Sequence, residues 1–254
     1  MSKLSNLKDY ELIVDYVVCY VSYHKISDSK ELNFISYCDE SYREEIYNLY
    51  EKIKKNIVIH NKSFMWIHLD GIVRYCWRGS YDVLDFLINF DYTLRDGVHN
   101  GYIEAYHNMK EYLKTIYEKT HHLSNNIRFI GHSMGGCFAY LGSEDFSKLY
   151  DKNITITTFN SPPFCDEKYF GRYLKFTYRN IKAKRDFVLY IPIIFSLLDK
   201  SIHPFITYYD PSPYILIDDD KTLSRSGKFY DHHATKLFLS KFINILQKKS
   251  FPNT

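Results

Sequence analysis

A chain of 254 residues with 45% hydrophobic and 25% charged side chains has the profile of an ordinary globular protein with one substantial core. Its net charge of +3 and its scattered Lys and Arg residues exclude an electrostatic case for nucleic acid as a partner. Five cysteines (Cys19, Cys38, Cys76, Cys137 and Cys165), an odd number without a C-x-x-C pair, exclude a disulfide framework and a zinc site. No signal-peptide pattern opens the sequence. The longest apolar run, 188–198, contains Pro192 and is too short to span a bilayer, so a cytoplasmic location is expected.

In chain order, Leu7, Tyr10, Val14, Val17 and Val21 recur at helical spacing and predict an amphipathic helix lying on the core. Asp9, Glu11 and Asp15 place acidic rather than basic groups on this helix, which argues against membrane docking. A second helix is expected over 42–55, with Arg43, Glu44, Glu45, Glu51 and Lys52 as a solvated face. Residues 63–77 read as two strands joined by Asp70-Gly71, a strong hairpin signal, and the second strand runs into Arg78-Gly79-Ser80. A short apolar helix is expected over 81–90. Another follows over 101–119, with Ile103, Tyr106, Met109, Tyr112, Leu113 and Ile116 on one side.

Beyond it, strands are expected over 127–130, 154–159 and 178–183, and helices over 134–150 and 167–174. A hairpin over 205–217 and a last helix over 235–248 complete the chain. Strands alternating with helices predict an α/β fold with a mostly parallel central sheet and helices on both faces. No internal repeat or linker divides the sequence. One domain over 1–254 is expected, with 1–60 as an N-terminal helical part packed on it.

The stretch that organises the rest is Gly131-His-Ser-Met-Gly-Gly136, between the 127–130 strand and the helix after it. Gly131-x-Ser133-x-Gly135 has the spacing of the nucleophile elbow of the α/β-hydrolase fold. A nucleophile on a strained turn needs small neighbours two residues before and after it. The helix N-terminus then points free N–H groups at any developing anion.

A serine hydroxyl needs a base, and the base needs an orienting acid. On this fold the acid and then the base follow the nucleophile in the chain. The histidines after Ser133 are His203, His232 and His233, and the last two directly precede the final helix. Among the carboxylates Asp186 stands out, just past a strand and before an apolar run; its plainer reading is a helix cap or an ion pair with Arg185.

Together these residues resemble the fungal-type triacylglycerol lipases, the class 3 lipase family of α/β-hydrolases. Arg78-Gly79-Ser80 is similar to the family's Arg-Gly-Ser/Thr, and Val98-His-Asn-Gly-Tyr102 to its Val-His-x-Gly-Phe/Tyr. Gly131-His-Ser-Met-Gly-Gly136 resembles Gly-His-Ser-Leu-Gly-Gly. Arg185-Asp186-Phe-Val-Leu-Tyr-Ile-Pro192 resembles the Asp-x-Val-Pro-x-Leu-Pro segment, and Asp231-His232 the Asp-His before the terminal helix. The chain departs from the family pattern at Phe86, where the family has Trp, and at Leu189, where it has Pro.

The resemblance implies Ser133 as nucleophile, Asp186 as acid and His232 as base, with His233 as the alternative. It implies an oxyanion hole from Ser80 and from the N–H of Met134, and a lid over 81–90. The activity implied is serine hydrolysis of carboxylic esters, acylglycerol or phospholipid, with a transient membrane or lipid-droplet surface as partner and neither metal nor organic cofactor. An inactive hydrolase-fold protein that binds lipid or protein, and an acyltransferase using the same triad, are the alternatives.

Overall fold

Asp70 and Gly71 both adopt positive φ, 52° and 73°, the turn that an Asp-Gly pair favours between twisted antiparallel strands. That hairpin opens the sheet. The computed structural model describes residues 10–27, 40–61, 63–80, 91, 93–183 and 214–217. Its helices are α1 (Tyr10–Ser27), α2 (Arg43–Asn56), α3 (Asn100–Thr120), α4 (Met134–Ser147) and α5 (Glu167–Phe170). The strands are β1 (Val58–Ile59), β2 (Phe64–Leu69), β3 (Ile72–Trp77), β4 (Leu94–Arg95), β5 (Val98–His99), β6 (Asn126–His132), β7 (Asn153–Phe159), β8 (Thr177–Ala183) and β9 (Tyr214–Ile217).

Seven strands form the main sheet in the order β1-β2-β3-β6-β7-β8-β9. The first three pair antiparallel, and β3, β6, β7, β8 and β9 run parallel. This is the architecture expected from the alternation of elements. Strand β9 pairs in parallel with β8, and the earlier half of the expected 205–217 hairpin lies outside the described residues. The expected helices over 81–90 and 235–248 lie outside them too. A separate small hairpin, β4–β5, turns at Asp96-Gly97 with φ of 54° and 84°; this second Asp-Gly signal went unread in the sequence.

Side chains alternate across the sheet as the strand period of two requires. Val73, Tyr75 and Trp77 of β3, Ile127 and Phe129 of β6, and Ile154 and Ile156 of β7 pack with α3 and α4. Cys76, Ile130, Phe159 and Ile181 pack on the other face, with α1 and α2. On α3 the buried side departs from expectation, and Tyr102, absent from the expected set, is fully buried. Tyr112 is 38% exposed, while Tyr117 is buried.

Helix α1 is not amphipathic. Leu12 to Ser22 are buried all round, and Asp15, expected on a polar face, is 0% exposed. Its carboxylate is the hub of a polar cluster on the sheet. Arg74 of β3 donates to Asp15 Oδ1 at 3.0 Å, and Arg128 of β6 and Thr157 of β7 donate to Oδ2 at 2.6 and 2.9 Å. Arg74 also donates to the Leu69 carbonyl and to Glu11. A buried charge survives only when paired and hydrogen-bonded, and this one joins three adjacent strands to one helix.

Candidate active site

Strand β6 ends at His132 and α4 begins at Met134, so a single residue makes the turn. That residue is Ser133, with φ 54° and ψ −132°. An L-residue reaches this backbone region only at a cost of about 1–3 kcal/mol, and the surroundings must hold it there. The Ser133 N–H donates to the Phe159 carbonyl of β7 at 2.9 Å, and its own carbonyl accepts from the Gly136 N–H at 2.9 Å.

The glycines around Ser133 explain the tightness. A Cβ on Gly131 would lie 2.0 Å from the Gly135 oxygen, and one on Gly135 would lie 2.3 Å from the Trp77 oxygen. On Gly136 it would meet Ser161 at 2.5 Å. Strand β6, helix α4 and the end of β3 therefore approach at backbone-to-backbone distance, which only glycine allows.

Ser80 and Met134 meet at this junction. The Ser80 Oγ lies 3.9 Å from the Met134 Sδ in a weak O–H···S contact. Met134 opens α4, so its N–H sits in the first turn, where no intrahelical acceptor exists. Arg78, 2% exposed, donates from its backbone N–H to the Ser63 carbonyl at 3.1 Å and from Nη1 to the Gly79 carbonyl at 2.8 Å. Sequence reasoning gave Arg78 a place in a motif but no task. Its position between an apolar strand and a glycine was the available signal.

One turn into α4, Cys137 contacts the Ser161 hydroxyl at 3.7 Å. Burial pushes its thiol up to about 12, against a small opposing effect of that contact, so it stays protonated and does not compete as a nucleophile. Cys19, Cys76, Cys137 and Cys165 are all buried free thiols. Among the described residues no three His, Cys, Asp or Glu side chains cluster as a metal site requires.

The Val98-His99 motif is held by the segment that follows β7. Cys165 bridges to Val98, the His99 N–H donates to Phe164 O at 2.8 Å, and His99 stacks on Tyr102 with ring centroids 3.8 Å apart. Asn100 donates to the Asp91 carboxylate at 2.6 Å. The structure thus brings Ser133, Ser80 and Met134 together. Asp186, His232 and His233, and the expected lid at 81–90, lie outside the described residues.

A mostly parallel sheet with helices on both faces, and a sharp strand-to-helix turn at Ser133, define the α/β-hydrolase fold. The sequence model of the lipase (class 3) family matches residues 75–196, which bears out the class 3 lipase resemblance and supports a lipase-type ester hydrolase. Among solved structures, the chain is similar to the lipase of Rhizomucor miehei at 16% identity and a TM-score of 0.59, over 82% of this chain and 68% of that one. It is similar to a Rhizopus microsporus lipase at 18% identity and a TM-score of 0.57, over 83% and 75%. A fungal lipase–inhibitor complex, described as a model for interfacial activation in lipases, matches at 17% identity and a TM-score of 0.55, over 72% and 73%. At these identities the likeness speaks for the fold. No curated protein sequence matches the chain.

Proposed function

We propose that this protein is a serine lipase that hydrolyses acylglycerol or phospholipid acyl esters through an acyl-serine intermediate. The observation that carries the reading is the backbone of Ser133. A non-glycine residue at φ 54°, gripped between β6 and the first turn of α4, stores strain of the kind found at functional sites.

In this reading the Ser133 Oγ attacks the ester carbonyl carbon while His232 takes its proton. The carbonyl electron pair moves onto oxygen, and that oxyanion accepts hydrogen bonds from the N–H groups of Ser80 and Met134, each such donor being worth roughly 10²–10³ in rate. Collapse of the tetrahedral species breaks the bond to the alcohol, which leaves with the proton from His232. Water then attacks the acyl-serine by the same route and releases the carboxylic acid. Asp186 holds the imidazole in the right tautomer and stabilises its cation. A lipid–water interface is the natural partner, in line with the interfacial behaviour described for the fungal lipase–inhibitor complex.

The test is a fluorophosphonate probe combined with ester turnover. The expected result is labelling mapped to Ser133, hydrolysis of short-chain nitrophenyl esters and of acylglycerol emulsions, and loss of both in Ser133→Ala. A folded wild-type protein that neither labels nor turns over any ester would leave a binding protein on a hydrolase fold. A product dominated by transfer to an added alcohol would make it an acyltransferase.

A further inference from the structure

The hydrogen bond from Arg78 Nη1 to the Gly79 carbonyl, 2.8 Å long, joins a side chain to the peptide unit directly after it. That carbonyl belongs to the Gly79–Ser80 peptide, whose other polar group is the Ser80 N–H. In a planar trans peptide the C=O and N–H point in opposite directions, so whatever fixes one aims the other. The guanidinium is permanently charged, and a charge-assisted bond to the carbonyl polarises the amide and makes its N–H a stronger donor. Glycine at position 79 has the widest choice of backbone angles, so without an external hold this peptide is the one most free to rotate.

The strap formed by residues 77–80, which runs on from β3, is held at its base and at its tip. The Arg78 N–H is bonded to the Ser63 carbonyl at 3.1 Å. The Trp77 and Arg78 carbonyls abut Gly135, where a Cβ would come within 2.3 and 2.5 Å of them. The Ser80 hydroxyl reaches Met134 Sδ at 3.9 Å. The peptide between these two fixed ends is the one that the Arg78 side chain grips.

We propose that Arg78 is a positioning residue for ester hydrolysis: by holding the Gly79 carbonyl it aims and strengthens the Ser80 N–H that receives the oxyanion. This rests on the reading of Ser80 as an oxyanion donor. Arg78 itself touches no reacting atom. Its effect falls on the transition state, where charge develops, and leaves ground-state binding of the ester largely alone.

The experiment compares Arg78→Ala, Arg78→Gln and Arg78→Lys with wild type on a soluble nitrophenyl ester. It also measures inhibition by an alkyl trifluoromethyl ketone, whose serine adduct carries an oxyanion in the same place. The expected result is a kcat lowered roughly 10- to 100-fold in Arg78→Ala, a KM within about twofold, a ketone Ki that rises in parallel, and intermediate values for Lys and Gln. Thermal denaturation identifies the variants that fold. If only Arg78→Lys does, a lowered kcat at unchanged KM is still required, because one ammonium does not reproduce the fixed fork of a guanidinium. Folded variants with wild-type kcat, or with a ketone Ki that does not follow kcat, overturn the positioning role and leave the hydrolase reading standing. A wild type that neither turns over esters nor labels with fluorophosphonate overturns both.

Discussion

Gly135 lies so close to the Arg78 carbonyl that a Cβ on it would sit 2.5 Å from that oxygen. The helix that begins after the nucleophile and the strap that carries Ser80 are therefore locked to each other by a contact between backbones. Their spacing does not depend on side-chain packing that could relax.

Gly135→Ala should force the two apart. Overpacking of this kind costs about 1–3 kcal/mol, and a displacement approaching 1 Å costs on the order of 10²-fold in rate. Chemical denaturation and ester turnover on the same sample separate the two effects. Turnover should fall much further than stability, and a fully active alanine variant would mean that the backbones part freely.

Ser133→Gly gives an opposite pair of effects. The angles φ 54° and ψ −132° are the mirror image of an ordinary extended conformation, which glycine enters without penalty. The variant should lose ester hydrolysis and gain about 1 kcal/mol of stability, the relief of strain being offset in part by glycine's greater unfolded freedom. Ser133→Ala should lose activity with little change in stability. A glycine variant with a lowered melting temperature would show that the serine backbone is not strained.

His232 and His233 are neighbours, and only one can be the base. His232→Ala should lower kcat by about 10³-fold or more, while His233→Ala should stay within a few-fold of wild type. Steady-state kinetics on a soluble ester decides it. Equal, mild losses in both would exclude each of them from the base role.

Glu144 sets an acid limit on stability. Burial by itself raises its pKa, but Lys148, hydrogen-bonded at 2.9 Å, the Tyr169 hydroxyl at 3.0 Å and Arg172 at 3.2 Å outweigh it and hold the carboxyl below its ordinary 4.5. A depressed carboxyl contributes stability that is whole above the unfolded pKa and is lost as pH falls through the folded one. Denaturation midpoints should therefore decline below about pH 4.5. Glu144→Gln should be less stable at neutral pH and flatter with acid. A variant with the same acid slope as wild type would assign that slope to other carboxylates.

What the sequence made legible was short in range. The Asp70-Gly71 hairpin, the Gly131-x-Ser133-x-Gly135 turn and the parallel strand–helix alternation are all encoded within a few residues. What it hid was distant. Asp15 looked like a polar interruption because its partners, Arg74 and Arg128, lie 59 and 113 residues further on, and only the strand register brings them together. Tyr112 and Tyr117 exchanged roles because an aromatic repeat alone does not fix which turn of a helix faces inward. The task of Arg78 was invisible for a third reason: a side chain bonded to the next peptide leaves no periodic mark.

The cluster around Asp15 also bears on how the chain is made. Thr157, which donates to Asp15, lies 142 residues later in sequence. Helix α1 therefore cannot complete its electrostatic site until β7 has been synthesised. Until then α1 has only part of its sheet to lie on, and Asp15 lacks one of its three donors. Contacts of such long range slow folding and lengthen the time that apolar surface stays uncovered. The complete Asp15 cluster can form only when β3, β6 and β7 lie side by side, so α1 is fully docked only on an assembled set of the strands behind the nucleophile.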